Sequence, residues 1–189
     1  MTVYLGIDIG IGGAIASKDT EALGGKWAIQ DIPTYGLEKT NGGIMTVYKI
    51  TELNEIFKPF GELRKQGVKV LAGFEKLRPV GGFKPQQGQA KASISGSPMS
   101  NFNLGGGWYL MQALCIMNEI PFVDFAPQKW KNCGVLQGLV NKSDKEAIRL
   151  RCMQTHPELA LQLKRKMDHN RAEAVFIAEY VEKNENILF

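Results

Sequence analysis

Val3-Tyr4-Leu5-Gly6-Ile7-Asp8-Ile9-Gly10-Ile11-Gly12-Gly13 is the stretch on which the fold turns. Val3, Leu5, Ile7 and Ile9 alternate with Tyr4, Gly6 and Asp8, which is the period of a strand with two distinct faces. Gly10, Gly12 and Gly13 then turn the chain into a second predicted strand at 14–17. A third is predicted at 26–32, stopped by Pro33. Three short strands in succession predict an antiparallel meander. Asp8 sits late in an apolar strand, where an acid is costly to bury unless it is paired or holds a cation.

Further along, residues 34–50 read as a loop with a turn signal at Asn41-Gly42-Gly43. Thr51 can cap a helix carrying Leu53, Ile56, Phe57, Phe60 and Leu63 at helical spacing, interrupted by Pro59 and Gly61. Residues 68–75 form a nearly continuous apolar run, as expected of a central strand covered on both faces, and it ends in Glu75. Residues 76–103 are rich in Gly, Ser, Pro and Gln and predict a long loop. A helix is predicted at 104–118 with Trp108, Met111, Leu114 and Cys115 on one face, then a short strand at 121–125. Ser143 with Glu146 forms a capping box for another helix, and 171–181 reads as the last. The order predicts an α/β fold, a mixed five-stranded sheet flanked by helices. It resembles the order of the RNase H-like fold, with residues 1–189 as one domain.

Composition narrows the class. Hydrophobic residues make up 44% and charged residues 22% of the 189. No apolar run approaches the roughly 18 residues of a membrane span, and Asp8 interrupts the early apolar stretch a signal peptide would need. Cys115, Cys133 and Cys152 are odd in number and far apart, which fits neither a zinc pattern nor a disulfide framework. Inert thiols in a reducing cytoplasm are expected. The net charge is +4, and its distribution says more. No Asp or Glu lies between Glu75 and Glu119, where Lys76, Arg78, Lys84 and Lys91 do. A second acid-free stretch, 125–143 apart from its flanks, carries Lys129, Lys131 and Lys142. A phosphate backbone could approach these segments without repulsion.

The remaining acids of interest fall in Met167-Asp168-His169-Asn170-Arg171-Ala172-Glu173-Ala174. His169 and Asn170 lie four and three residues before Glu173, on its helix face, and Ile177 and Tyr180 continue that face. Each acid alone has an ordinary explanation: a turn cap for Asp8, a solvated strand end for Glu75, a helix cap for Asp168. Converging together they would repel one another, and hard divalent cations relieve that repulsion through oxygen ligands. Two such ions can activate water and stabilise the leaving oxygen of a phosphodiester.

Gly6-Ile7-Asp8-Ile9-Gly10 resembles the opening strand of the RuvC family, and Phe74-Glu75-Lys76-Leu77 resembles its second acidic motif. Asp168-His169-Asn170-Arg171-Ala172-Glu173-Ala174 is similar to the closing motif of phage-type RuvC relatives. The Gly105-Gly106-Gly107-Trp108 helix start and the Pro127-to-Lys131 segment have counterparts there too. The resemblance implies a homodimeric, Mg²⁺- or Mn²⁺-dependent endonuclease that nicks Holliday junctions, with two ions per site. It implies Asp8, Glu75, Glu173 and a fourth group as the catalytic metal ligands. Bacterial members end in two Asp three residues apart. Here Asn170 stands three before Glu173, so Asp168 is expected to fill the role, with His169 and Asn170 as alternatives. Lys76, Arg78, Lys84, Lys129, Lys131, Lys142 and Lys145 are candidate DNA contacts, as are Arg149 and Lys164 to Lys166. Phe83 and Phe102 are candidates to stack on an unpaired junction base, whereas Trp108 and Trp130 read as core or interface.

Two other classes share part of this pattern. The Asp8 strand with its glycine turn also resembles the first phosphate motif of actin-like ATPases and sugar kinases. A branched-DNA binding module without catalysis would show the basic segments but has no need of three acidic ones.

Overall fold

β1 (Thr2–Asp8) lies at the centre of a five-stranded sheet of order β3-β2-β1-β6-β7. The computed structural model describes residues 1–20, 25–40, 42–77, 98–132, 136, 138–139, 141 and 144–189. β2 (Ala14–Asp19) and β3 (Trp27–Asp31) continue from β1 as the expected antiparallel meander. β6 (Lys69–Glu75) and β7 (Phe122–Phe125) add on the other side in parallel. This is the mixed, five-stranded α/β sheet that the sequence predicts.

The two faces of β1 enter different cores. Val3, Leu5, Ile7 and Ile9 join Leu53 and Phe57 of α1 (Ile50–Lys65) and Met111, Leu114 and Cys115 of α2 (Pro98–Met117). Tyr4 lies on the opposite face with Ile148 and Cys152 of α4 (Lys145–Thr155) and the apolar residues of α5 (His169–Lys183). α5 is buried almost all round, as a helix caught between the sheet and a second layer must be. Its seat is a floor of two glycines. Gly6 and Gly73 pair in register on neighbouring strands. A Cβ on Gly6 would collide with the backbone of Ala174 and Ala178, and one on Gly73 with the Val181 side chain. The absent side chains let the α5 backbone come down onto the sheet.

Several expectations need correction. Residues 34–50 are not simply a loop: β4 (Thr34–Glu38) and β5 (Ile44–Tyr48) form a separate antiparallel hairpin. Gly42, at φ +79°, supplies the left-handed turn residue. Residues 98–103 of the loop expected at 76–103 are helical, because α2 begins at Pro98, a favourable first helical residue, and residues 78–97 lie outside the described residues. A short helix not anticipated, α3 (Pro127–Lys131), also begins with proline. The cap of α4 is Asp144, whose carboxylate accepts from the Glu146 and Ala147 amides at 3.0 and 3.2 Å, where Ser143 was expected. Ser143 itself, with Arg78, Phe83, Lys84, Lys91, Cys133 and Lys142, lies outside the described residues. Pro59 stays inside α1, on its exposed side, where water can serve the carbonyl that proline leaves without a donor. Cys115 and Cys152 are buried, and burial pushes the Cys115 thiol up to about 12, so neither is a reactive thiolate. Among the described residues, no helix is long and apolar enough to cross a membrane.

Candidate active site

Parallel pairing of β1 with β6 reaches Ile7 opposite Phe74, and the next residues are Asp8 and Glu75. Both acids stand two residues beyond the paired glycines, so both lie on the face of the sheet that α5 covers. The close seat of α5 on Gly6 places Ala174 there, and Glu173 precedes it. Asp8, Glu75 and Glu173 therefore come together at the carboxyl end of the two central strands, where ligands gather in open α/β sheets.

The electrostatics bear the mark of that crowding. Burial, followed by repulsion from Glu173 and Glu75, holds the Asp8 carboxyl well above the usual carboxylate range. Burial also raises Glu173, opposed by Lys131 and reinforced by Glu75. Lys131 and Lys145 act favourably on both acids, so the cluster has cationic flanks. Among the described residues no three His, Cys, Asp or Glu side chains enclose a metal ion by themselves. The donor set nevertheless fits Mg²⁺ or Mn²⁺: the three clustered acids offer only oxygen. Mg²⁺ keeps several waters and takes one or two carboxylates with substrate phosphate, so it needs no closed protein cage.

Other side chains fix the frame. Trp130, on α3, is 2% exposed, and its indole N–H donates to Glu75 Oε1 at 2.6 Å. Lys131 Nζ is 3.9 Å from the same oxygen and 5.0 Å from the Trp130 ring centroid. Asn170 donates its amide to the Gly12 carbonyl, tying the start of α5 to the turn after Asp8. Arg171 grips Asp31 at the end of β3 with two bonds of 2.6 Å and donates to the Gln162 carbonyl at 2.9 Å. That bidentate contact holds the Asp31 carboxyl below its ordinary range. Tyr48, from the unexpected hairpin, buries a hydroxyl that has no hydrogen-bond partner among the described residues. Burial raises it, and the Asp8 charge raises it further, so the hydroxyl lies within the field of the site.

Asp168 stands apart. It is 3% exposed and committed to Arg165, accepting from its backbone amide at 2.7 Å and from its guanidinium at 2.9 and 2.7 Å. The fourth-ligand role expected of it requires Arg165 to release it. His169 instead acts on the charge of Glu173, and its Nδ1 lies 3.1 Å from the Lys166 carbonyl. Of the expected DNA contacts, Lys76, Lys129 and Lys145 are exposed and Lys131 is half-buried against Glu75. Lys145 and Lys166 line a cavity of about 320 Å³ with Glu146, Met167 and His169. Arg149 is corrected: it is buried, bonds to Glu146 and the Leu163 carbonyl, and holds the fold together. Phe102 is 75% exposed on α2.

The roles of Trp130 and Tyr48 escaped the sequence reading. A tryptophan followed by Lys131 gave the only local signal for the first, and none existed for the second.

No family model and no curated protein matches the chain. Among solved structures, a RuvC from T. thermophilus in complex with a Holliday junction substrate is similar. It has 14% identity and a TM-score of 0.48, with 99% of this chain and 96% of that chain covered. A second Thermus thermophilus RuvC structure has 15% identity and a TM-score of 0.46, with 98% and 96% covered.

Proposed function

We propose that this chain is a divalent-metal-dependent endonuclease that nicks branched DNA, Holliday junctions foremost, as phage-type RuvC relatives do. The observation that carries this reading is the convergence of Asp8, Glu75 and Glu173 at one sheet end, where burial and mutual repulsion raise two of them. Such a site is destabilised until cations arrive, which is what a metal-dependent site requires. The motif resemblance narrows phosphodiester cleavage to four-way junctions.

Asp8, Glu75 and Glu173 would hold Mg²⁺ or Mn²⁺, two ions per site. For the fourth place the geometry favours His169 over Asp168. With Nδ1 donating to the Lys166 carbonyl, its Nε2 keeps the lone pair a metal takes. When bound, the ions supply an activated water and stabilise the leaving oxygen. The chain's own contribution is orientation and charge. Trp130 and Lys131 hold Glu75, Asn170 fixes the glycine turn beside Asp8, and Lys131 and Lys145 offset the acids as the phosphate backbone enters. Lys76 and Lys129 extend the basic surface outward.

A homodimer is proposed through α2. Its exposed positions Phe102, Gly106, Tyr109, Ala113 and Ile116 follow the alternating four-three spacing of a coiled-coil seam. Large and small residues alternate along it, and a Cβ on Gly106 would meet nothing. Two copies related by a two-fold axis at Tyr109 would set Phe102 opposite Ile116 and Gly106 opposite Ala113. The 20 residues of α2 carry no charge, so two copies of net charge +4 can meet there.

The test is a cleavage assay on labelled four-way, three-way and linear DNA with Mg²⁺ and Mn²⁺ in turn. Metal-dependent nicking of the four-way junction is expected. ATP hydrolysis without DNA would instead favour the phosphotransferase class.

A further inference from the structure

We infer that Trp130 is a positioning residue that aims Glu75 at the metal site; this rests on the nuclease reading above. An indole N–H is a donor only, and it is neutral. Its bond to Glu75 Oε1, 2.6 Å long, therefore fixes the rotation of the carboxylate without cancelling its charge. An arginine in that place would fix the group and neutralise it as well. With one lone pair of Oε1 engaged by the indole, Oε2 is the freer oxygen for a cation.

The donor is itself immobile. Trp130 is 2% exposed and belongs to the core that α4 and α5 form against the sheet. α3, which carries it, follows directly from β7, and β7 is locked to β6 at Glu75 opposite Phe125. The Lys76 amide donates to the Phe125 carbonyl at 2.8 Å, closing the pairing just beyond Glu75. The strand that carries the acid and the helix that carries its donor thus share one frame. Lys131 lies 5.0 Å from the indole centroid and 3.9 Å from the same Oε1, so it presses on the ring and the carboxylate together. Groups that orient a metal-binding carboxylate in this way commonly change metal affinity by about 10–100-fold when removed.

The test compares the full-length protein with Trp130→Phe and with a variant carrying β-(3-benzothienyl)alanine at position 130. The second keeps the outline of the indole and lacks only the N–H. Mn²⁺ binding is measured by calorimetry without DNA, folding by circular dichroism, and cleavage as kcat and KM on a four-way junction. Both folded variants are expected to bind Mn²⁺ about 10-fold more weakly or worse, and to lose kcat with KM unchanged. In a Glu75→Gln background, Trp130→Phe is expected to add nothing further, because no charge remains to aim. Should Trp130→Phe fold poorly, the benzothienyl variant carries the test. Wild-type Mn²⁺ affinity and kcat in that folded variant would overturn the inference while leaving the nuclease reading intact. A wild-type protein that neither binds Mn²⁺ nor cuts branched DNA would overturn both.

Discussion

Asp8 takes its chemistry from neighbours that a strand pattern cannot supply. Alone on β1 it suits a phosphotransferase as well as a nuclease; Glu75 and Glu173 beside it make the difference. Asp8→Asn is expected to abolish cleavage while leaving four-way-junction binding in place, because it removes a carboxylate oxygen from the proposed metal site and none of the basic surface. Gel-shift and cleavage assays on the same preparation check this. Asp168 makes the contrasting prediction. Asp168→Asn weakens a buried charged contact and is expected to lower stability by about 1–3 kcal/mol, with Mn²⁺ affinity nearly unchanged. Lost metal affinity at unchanged thermal stability would return Asp168 to the ligand set. The three clustered acids were legible in the sequence because strand alternation and helix spacing point their side chains. Asp168 was less so: its partner, Arg165, belongs to a turn whose shape no periodicity reports. Trp130 was legible only as a core or interface residue, since its acceptor, Glu75, lies 55 residues away in sequence.

At the level of elements, the seat of α5 on the sheet links fold to site. Gly6→Ala puts a methyl group into the backbone of Ala174 and Ala178 and must lift the helix that carries Glu173. Overpacking of this kind costs about 1–3 kcal/mol, and the displaced Glu173 is expected to reduce kcat beyond what the lost folded fraction explains. Thermal melts and single-turnover cleavage separate the two. The sheet order followed from alternation and the central apolar strand, which are strong signals. The β4–β5 hairpin did not, because a two-stranded ribbon leaves Tyr35, Leu37 and Ile44 largely exposed and so has no buried face to impose a pattern. Yet that hairpin delivers Tyr48. Its hydroxyl, without a partner among the described residues, is costly to bury, so Tyr48→Phe is expected to keep or raise thermal stability, by up to about 1 kcal/mol. A clear fall in the melting temperature would show that the hydroxyl has a partner in the folded protein.

Across the whole molecule, the second layer is fastened away from the site. His156, at the end of α4, has Nε2 3.0 Å from Glu179 Oε1 on α5, off the line of a straight hydrogen bond, so the contact is chiefly ionic. Burial pushes the imidazole down, but Glu179 and Glu158 more than offset this and hold it above its ordinary 6.5. Burial likewise raises Glu179, and His156 with Lys183 brings it below its ordinary 4.5. The histidine's stabilisation is complete below 6.5 and fades as pH rises through its folded value; the glutamate's is present above 4.5 and fades on acidification. The melting-temperature gap between wild type and His156→Gln should therefore be wider at pH 6 than at pH 8. An equal gap at both would mean that the pair acts by packing alone. The α2 seam predicts a dimer in sedimentation that Tyr109→Glu splits into monomers. Three carboxylates at one sheet end are proposed to make a metal-dependent cutting site. The most direct test is cleavage of a labelled four-way junction by wild type and Asp8→Asn in Mg²⁺. Paired nicks by wild type and binding without nicks by the variant are expected; undiminished nicking by Asp8→Asn would show that these carboxylates do not make the cutting site.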